Sequence, residues 1–79
     1  MSDETRKNLV EAFQRECALL RRYAWFARMA EVEGYESAAD VLRQLAEAVE
    51  AHADGTLDYL KHGGDPLTNL PIGGTEENL

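Results

Sequence analysis

The absence of proline between Thr5 and His62 most constrains how this chain can fold. Gly34 is the only glycine before Gly55, and both prolines come after His62. Proline interrupts helices because it lacks an N–H, and glycine commonly ends them because it adopts positive φ without a steric penalty. The sequence therefore predicts two long helices of nearly equal length that meet at Gly34, an αα-hairpin.

The hydrophobic pattern of both predicted helices supports this interpretation. Apolar residues recur at alternating spacings of four and three, which is typical of helices that pack along a seam in an antiparallel bundle. The predicted seam of the first helix contains Leu9, Phe13, Glu16, Leu20, Tyr23, Ala27 and Ala30, and that of the second contains Ala38, Leu42, Leu45, Val49, His52, Thr56 and Tyr59.

The small size of the chain implies that it needs a partner or a metal. A domain of 79 residues is marginal alone, and Cys17 is its only cysteine, so an internal disulfide is excluded. Two helices cannot fully cover each other's apolar faces. We therefore expect the hairpin to complete a four-helix bundle with a second hairpin, most simply as a homodimer.

Charge and hydropathy exclude several classes of function. The chain has 15 acidic and 8 basic residues, a net charge of −7, which argues against nucleic acid as a partner. No segment resembles a signal peptide or approaches the roughly 20 apolar residues that cross a bilayer. A cytoplasmic protein that does not interact with membranes is expected.

The sequence divides into a helical hairpin, residues 1–62, and an extended tail, residues 63–79. The segment from Thr75 to Leu79 (TEENL) repeats the TxxNL pattern of the segment from Thr5 to Leu9 (TRKNL). Either a second helical hairpin begins at this repeat, or the match arises from chance and from the composition of helix caps.

One ionisable residue interrupts each predicted seam. Glu16 lies 18 residues before Gly34, and His52 lies 18 residues after it. Residues equidistant from the turn of an antiparallel hairpin lie at similar heights, so Glu16 and His52 are predicted side by side in the core. In a dimer, two glutamates and two histidines suit iron, manganese or zinc. The alternative is a buried ion pair that fixes the helix register without metal.

The chain resembles the rubrerythrin branch of the ferritin-like di-iron carboxylate proteins. The resemblance runs through KNLVEAFQRECALLRRYAWFARMAEVEGYESAADVL and AEAVEAHADGTLDYL, and the tail is similar to the segment that leads into a second hairpin. It implies a ferritin-like fold and a non-haem iron protein that reduces peroxide or dioxygen or oxidises iron. Glu16 matches an iron-binding glutamate, His52 the histidine of the ExxH motif, and Tyr23 a tyrosine close to the iron.

The chain departs from that family at the ExxH motif, which reads VEAH. Val49 takes the place of the carboxylate that normally bridges two irons, and Glu47 and Glu50 are predicted to point away from His52. A dimer would supply two carboxylates instead of four. Three possibilities remain open. The site holds a single metal, or a di-metal centre completed by water or an exogenous bridge; a separate second hairpin supplies the other carboxylates; or metal binding has been lost.

Two functions are therefore in competition. One is a rubrerythrin-like iron oxidoreductase, which would need an external electron donor because the chain has no CxxC pair. The other is a non-catalytic helical assembly module in which Glu16 and His52 form a structural pair.

Overall fold

Two long antiparallel helices form most of the molecule. A computed structural model describes residues 1–78: α1 spans Asp3–Val32, α2 spans Glu36–Leu60, and a short α3 spans Thr75–Asn78. No strand occurs in that part of the chain. The predicted all-α hairpin is confirmed, and its architecture is that of one half of a ferritin-like bundle.

The start of α1 is a capped helix terminus. The Oγ of Ser2 accepts a hydrogen bond of 3.1 Å from the backbone N–H of Thr5, so one of the unpaired N–H groups of the first turn gains a partner. Asp3 and Glu4 place negative charge at the positive end of the helix dipole. These features fix where α1 begins.

The turn between the helices is a Schellman motif. Gly34 adopts φ +88°, its N–H donates to the carbonyl of Glu31, and the N–H of Tyr35 donates to the carbonyl of Ala30. A side chain at position 34 would be strained at this φ. The predicted helix break at Gly34 is therefore confirmed together with its cause.

The contact between the helices differs from the predicted seam by one residue on α2. Leu45 and Tyr59 were predicted in the seam, but they are 42% and 65% exposed, and Ala38 and His52 are exposed as well. The prediction was wrong because hydrophobicity favours Leu and Tyr, whereas the closest approach of two helices accommodates alanine. The buried residues of the two long helices are Ala27 on α1 and Ala39, Ala46, Ala53 and Leu60 on α2.

The hairpin is one layer thick and presents two different faces. The face that we call the open face carries a groove of about 320 Å³, and the opposite face, the charged face, carries one of about 320 Å³ as well. The open face groove is lined by Glu16, Leu19, Tyr23, Leu45, Ala48, Val49 and His52. The charged face groove is lined by Leu20, Ala24, Ala27, Arg28, Glu31, Arg43, Ala46, Glu47 and Glu50.

The tail folds back on the start of α1. The guanidinium of Arg6 donates to the carbonyl of Gly63 at 2.8 Å and to that of Asp65 at 3.3 Å. Helix α2 ends at Leu60, so the last two residues assigned to the hairpin follow the helix. The division at residues 62 and 63 stays a prediction, and Leu79, the last residue of the repeated motif, lies outside the described residues.

Neither long helix resembles a membrane span. Within residues 1–78, no helix is both long and apolar enough to cross a bilayer.

Candidate metal centre

Glu16 and His52 form a direct contact between α1 and α2. The Nδ1 of His52 lies 3.0 Å from the Oε1 of Glu16. The prediction that two residues equidistant from Gly34 lie side by side is confirmed, because the Schellman turn brings the helices back antiparallel without a change of register.

The two side chains differ in burial, and here the prediction was partly wrong. The side chain of Glu16 is 13% exposed, whereas that of His52 is 75% exposed. His52 precedes the buried Ala53 and therefore lies at the edge of the helix contact, on the open face. A second layer of helices on the open face would bury it.

Thr56 is a third member of the cluster. Its Oγ1 lies 3.3 Å from both carboxylate oxygens of Glu16 and 3.1 Å from the carbonyl oxygen of His52. A carboxylate only accepts hydrogen bonds, so the hydroxyl must donate its single hydrogen toward Glu16 for that contact to be attractive. Sequence reasoning placed Thr56 in the seam without a role, although a hydroxyl one turn after His52 was visible in the sequence.

The carboxylate of Glu16 is held by these two neighbours alone. No Lys or Arg among residues 1–78 forms an ion pair with it. A mostly buried carboxylate without a cation is unfavourable. A positive charge next to Glu16 would therefore stabilise its carboxylate.

The geometry of the pair fits part of a metal site. Two donor atoms bound at about 2.1 Å to one tetrahedral ion are about 3.4 Å apart. The observed distance of 3.0 Å is that of a hydrogen bond, so a small movement of the two side chains would place both atoms on one ion. However, the described residues contain no group of three or more His, Cys, Asp or Glu able to hold an ion. One chain therefore offers two adjacent donor atoms, one from Glu16 and one from His52.

The side chain one turn before His52 adds no ligand. Val49 lines the open face groove beside Glu16 and His52. Glu47 and Glu50 line the groove on the charged face, as predicted from the helical period. The position from which a second carboxylate could reach the pair is thus occupied by an apolar side chain.

Tyr23 lines the same groove as Glu16 and His52. Its hydroxyl donates no hydrogen bond to either residue in the described part of the chain. Its expected role beside a metal stays a prediction, because the hairpin alone does not bring its hydroxyl to the ligands.

The charged face is organised around Arg43. Its guanidinium donates to Asp40 at 2.6 Å and to Glu31 at 2.9 Å, which links α2 to α1 near the turn. The hydrogen bond to Asp40 is the main cause that raises the pKa of Arg43 above its ordinary value. All three side chains are exposed, so these ion pairs form within one chain and in contact with water.

Known proteins resemble this chain over most of its length. The family model described as rubrerythrin matches residues 7–71. The chain is 39% identical over 80 aligned residues to a rubrerythrin of Porphyromonas gingivalis, covering 96% of this chain and 40% of that protein. It is 33% identical over 58 residues to a rubrerythrin of Clostridium perfringens, covering 73% of this chain and 30% of that protein. The chain thus spans less than half the length of these relatives.

Proposed function

Because the chain belongs to the rubrerythrin family of non-haem iron proteins, we propose that its open face supplies half of an iron centre that reduces hydrogen peroxide or dioxygen, or oxidises ferrous iron. One observation carries this proposal: Glu16, 13% exposed and without a Lys or Arg partner among residues 1–78, contacts His52 on an apolar surface. Carboxylate and imidazole together are typical ligands of iron in such proteins.

Each residue of the cluster has a distinct part in this proposal. Glu16 and His52 would hold the ion, and Thr56 would orient the carboxylate through its hydroxyl. Tyr23 would donate a hydrogen bond to a ligand or substrate once a second layer closes the groove. Bound iron supplies the change between ferrous and ferric states on which peroxide reduction depends.

The proposal requires partners. A second hairpin, from another copy of the chain or from a separate segment, must supply the remaining ligands, because one chain provides two. An external donor must supply electrons, since Cys17 is the only cysteine and cannot form a thiolate pair within the chain. We expect this chemistry in the cytoplasm.

The substitution Glu16→Ala tests the role of the carboxylate. The rate of peroxide consumption by iron-loaded protein with a chemical reductant should fall to that of metal-free protein. Glu47→Ala, which removes an exposed carboxylate from the charged face, is the matched control and should keep the parent rate. An unchanged rate in Glu16→Ala would refute the proposal.

A non-catalytic assembly module is the second candidate. It is favoured by the completeness of the cluster within one chain, where Thr56 and His52 already satisfy Glu16, and by the absence of a third ligand in residues 1–78. A chelator at constant pH separates the two candidates. The chelator should lower the melting temperature if a bound metal stabilises the protein. It should leave the melting temperature unchanged if Glu16 and His52 form a structural pair without metal.

A further inference from the structure

The number of carboxylates at the site limits how many ions it can hold. Two ferrous ions carry four positive charges, whereas two chains would supply only the two carboxylates of Glu16. The position on α2 from which a further carboxylate could reach the ions is occupied by Val49, and Glu47 and Glu50 lie on the charged face. Burying uncompensated charge is costly, so a pair of ions does not fit this ligand set. One divalent ion is neutralised by two glutamates.

We propose that two copies of this chain bind a single divalent transition-metal ion between their open faces, through Glu16 and His52 of each copy. This inference rests on the metal site of the proposed function, but it does not depend on redox activity. The ligand set, two imidazole nitrogens and two carboxylate oxygens, matches the four-coordinate geometry of zinc and also accommodates ferrous or manganous ions.

The open face is large enough for such a dimer. A helix of 25 residues is about 37 Å long, and two adjacent helices are about 20 Å wide, so the face covers roughly 740 Å². A standard protein interface uses about 800 Å² per partner. The exposed Leu19 and Leu45 lie on this face, at 38% and 42% exposure, and a second copy would cover them.

The charges of the helices favour one arrangement of the two copies. Helix α1 contains six basic and five acidic residues, whereas α2 contains one basic and six acidic. Placing α1 of one copy over α2 of the other brings the more positive helix onto the more negative one and separates the two acidic helices. A two-fold axis parallel to the helices produces this arrangement.

The same axis brings the ligands together. Rotation about an axis parallel to the helices keeps every residue at its own height along the bundle. Glu16 and His52, already 3.0 Å apart in one chain, therefore meet their counterparts at the same level. The exposed edge of His52 becomes buried, and the apolar side chain of Val49 borders the ion and excludes water.

Native mass spectrometry of the chain during titration with Zn²⁺ tests the proposal, and sedimentation checks the assembly in solution. We expect one ion per dimer, twice the 8.8 kDa mass of the chain. With Co²⁺ in place of Zn²⁺, the absorption spectrum should be that of four-coordinate cobalt. Two ions per dimer, one ion per monomer, or no bound ion would each overturn the proposal.

A pair of matched variants locates the ion. Val49→Glu adds a carboxylate on the open face and should raise the content from one to two ions per dimer. Ala51→Glu adds the same charge to an exposed position of the same helix that does not line the groove, and should keep one ion. A Val49→Glu dimer that still binds one ion would show that this position does not face the metal and would overturn the proposed geometry.

His52→Ala is the variant whose folding is safest, because the side chain is 75% exposed in the hairpin. It should keep the helical circular dichroism of the parent and lose the ion. An ion retained by this variant would overturn the proposal. One ion per dimer without peroxide activity would contradict the proposed function alone, whereas activity with two ions per dimer would contradict this inference alone.

Discussion

The two faces of the hairpin are made by the same two helices, yet their charged side chains differ in their partners and in their exposure to water. On the charged face, Arg43 pairs with Asp40 and Glu31 in contact with water. On the open face, Glu16 is mostly buried among apolar side chains and is held only by uncharged or titratable groups. The ion pairs of the charged face form within one chain, whereas the chemistry that we propose for the open face depends on a second hairpin.

Leu45→Asp should have the largest effect, because it attacks the open face where the second copy would pack. In a two-fold dimer each substitution counts twice, and burying two unpaired carboxylates costs about 4 kcal/mol, or roughly 1,000-fold in the dimer dissociation constant. Sedimentation equilibrium with Zn²⁺ measures it. Gln44→Asp, at an exposed neighbouring position, is the control and should dimerise like the parent. Equal dimerisation of both variants would show that the open face is not the interface.

Glu16→Gln should come next, since it keeps the shape of the side chain and removes its charge. In the dimer this substitution removes both charged ligands of the ion. Zn²⁺ affinity should fall by about 100-fold or more, because replacing a residue that only hydrogen-bonds to a ligand already costs about 10- to 100-fold. Competition with a chromophoric chelator measures the affinity. Glu47→Gln on the charged face should bind like the parent, and a similar loss in both variants would mean that only net charge matters.

Thr56→Val should have a smaller effect, confined to the orientation of the carboxylate. Removing the hydroxyl while preserving shape should lower Zn²⁺ affinity by about 10-fold and the free energy of unfolding by about 1 kcal/mol. Thr56→Ser should restore both, because it returns the donor to Glu16. Parent-like Zn²⁺ affinity in Thr56→Val would show that the hydroxyl does not orient the carboxylate.

Arg43→Ala should have the smallest effect. Its ion pairs are exposed, and water and salt screen such pairs. The raised pKa of Arg43 means that any stabilisation is fully present through neutral pH and is lost only as the pH rises to strongly alkaline values. The melting temperature between pH 6 and 9 should match that of the parent at about 0.15 M salt. A large drop would show that the charged face contributes more than exposed pairs normally do.

Much of this molecule could be predicted from the sequence because local rules dominate it. The turn follows from Gly34, and the contact of Glu16 with His52 follows from counting residues in an antiparallel pair. The exact helix contact could not be predicted, because large apolar residues can lie either in the contact between the two helices or on an exposed face of the hairpin. Ala46 and Ala53 mark the true contact, but small residues carry a weak hydrophobic pattern.

The role of Thr56 was missed for a related reason. A threonine at a seam position is compatible with ordinary packing, and only its distances to the carboxylate of Glu16 distinguish it. The exposure of His52 could not be foreseen either, since one residue along a helix separates a buried position from an edge.

Glu16 and His52 are equally far from Gly34, so two segments of equal length, which we call the two arms, set their relative positions. One residue inserted into either arm would rotate its ligand by about 100° and displace it by about 1.5 Å, while both helices stayed intact. The Schellman turn cannot absorb such a change, since its hydrogen bonds fix where each arm starts. A single insertion or deletion that preserves the contact of Glu16 with His52 is therefore confined to the sequence before Glu16 and after His52, however stable the shortened or lengthened hairpin is.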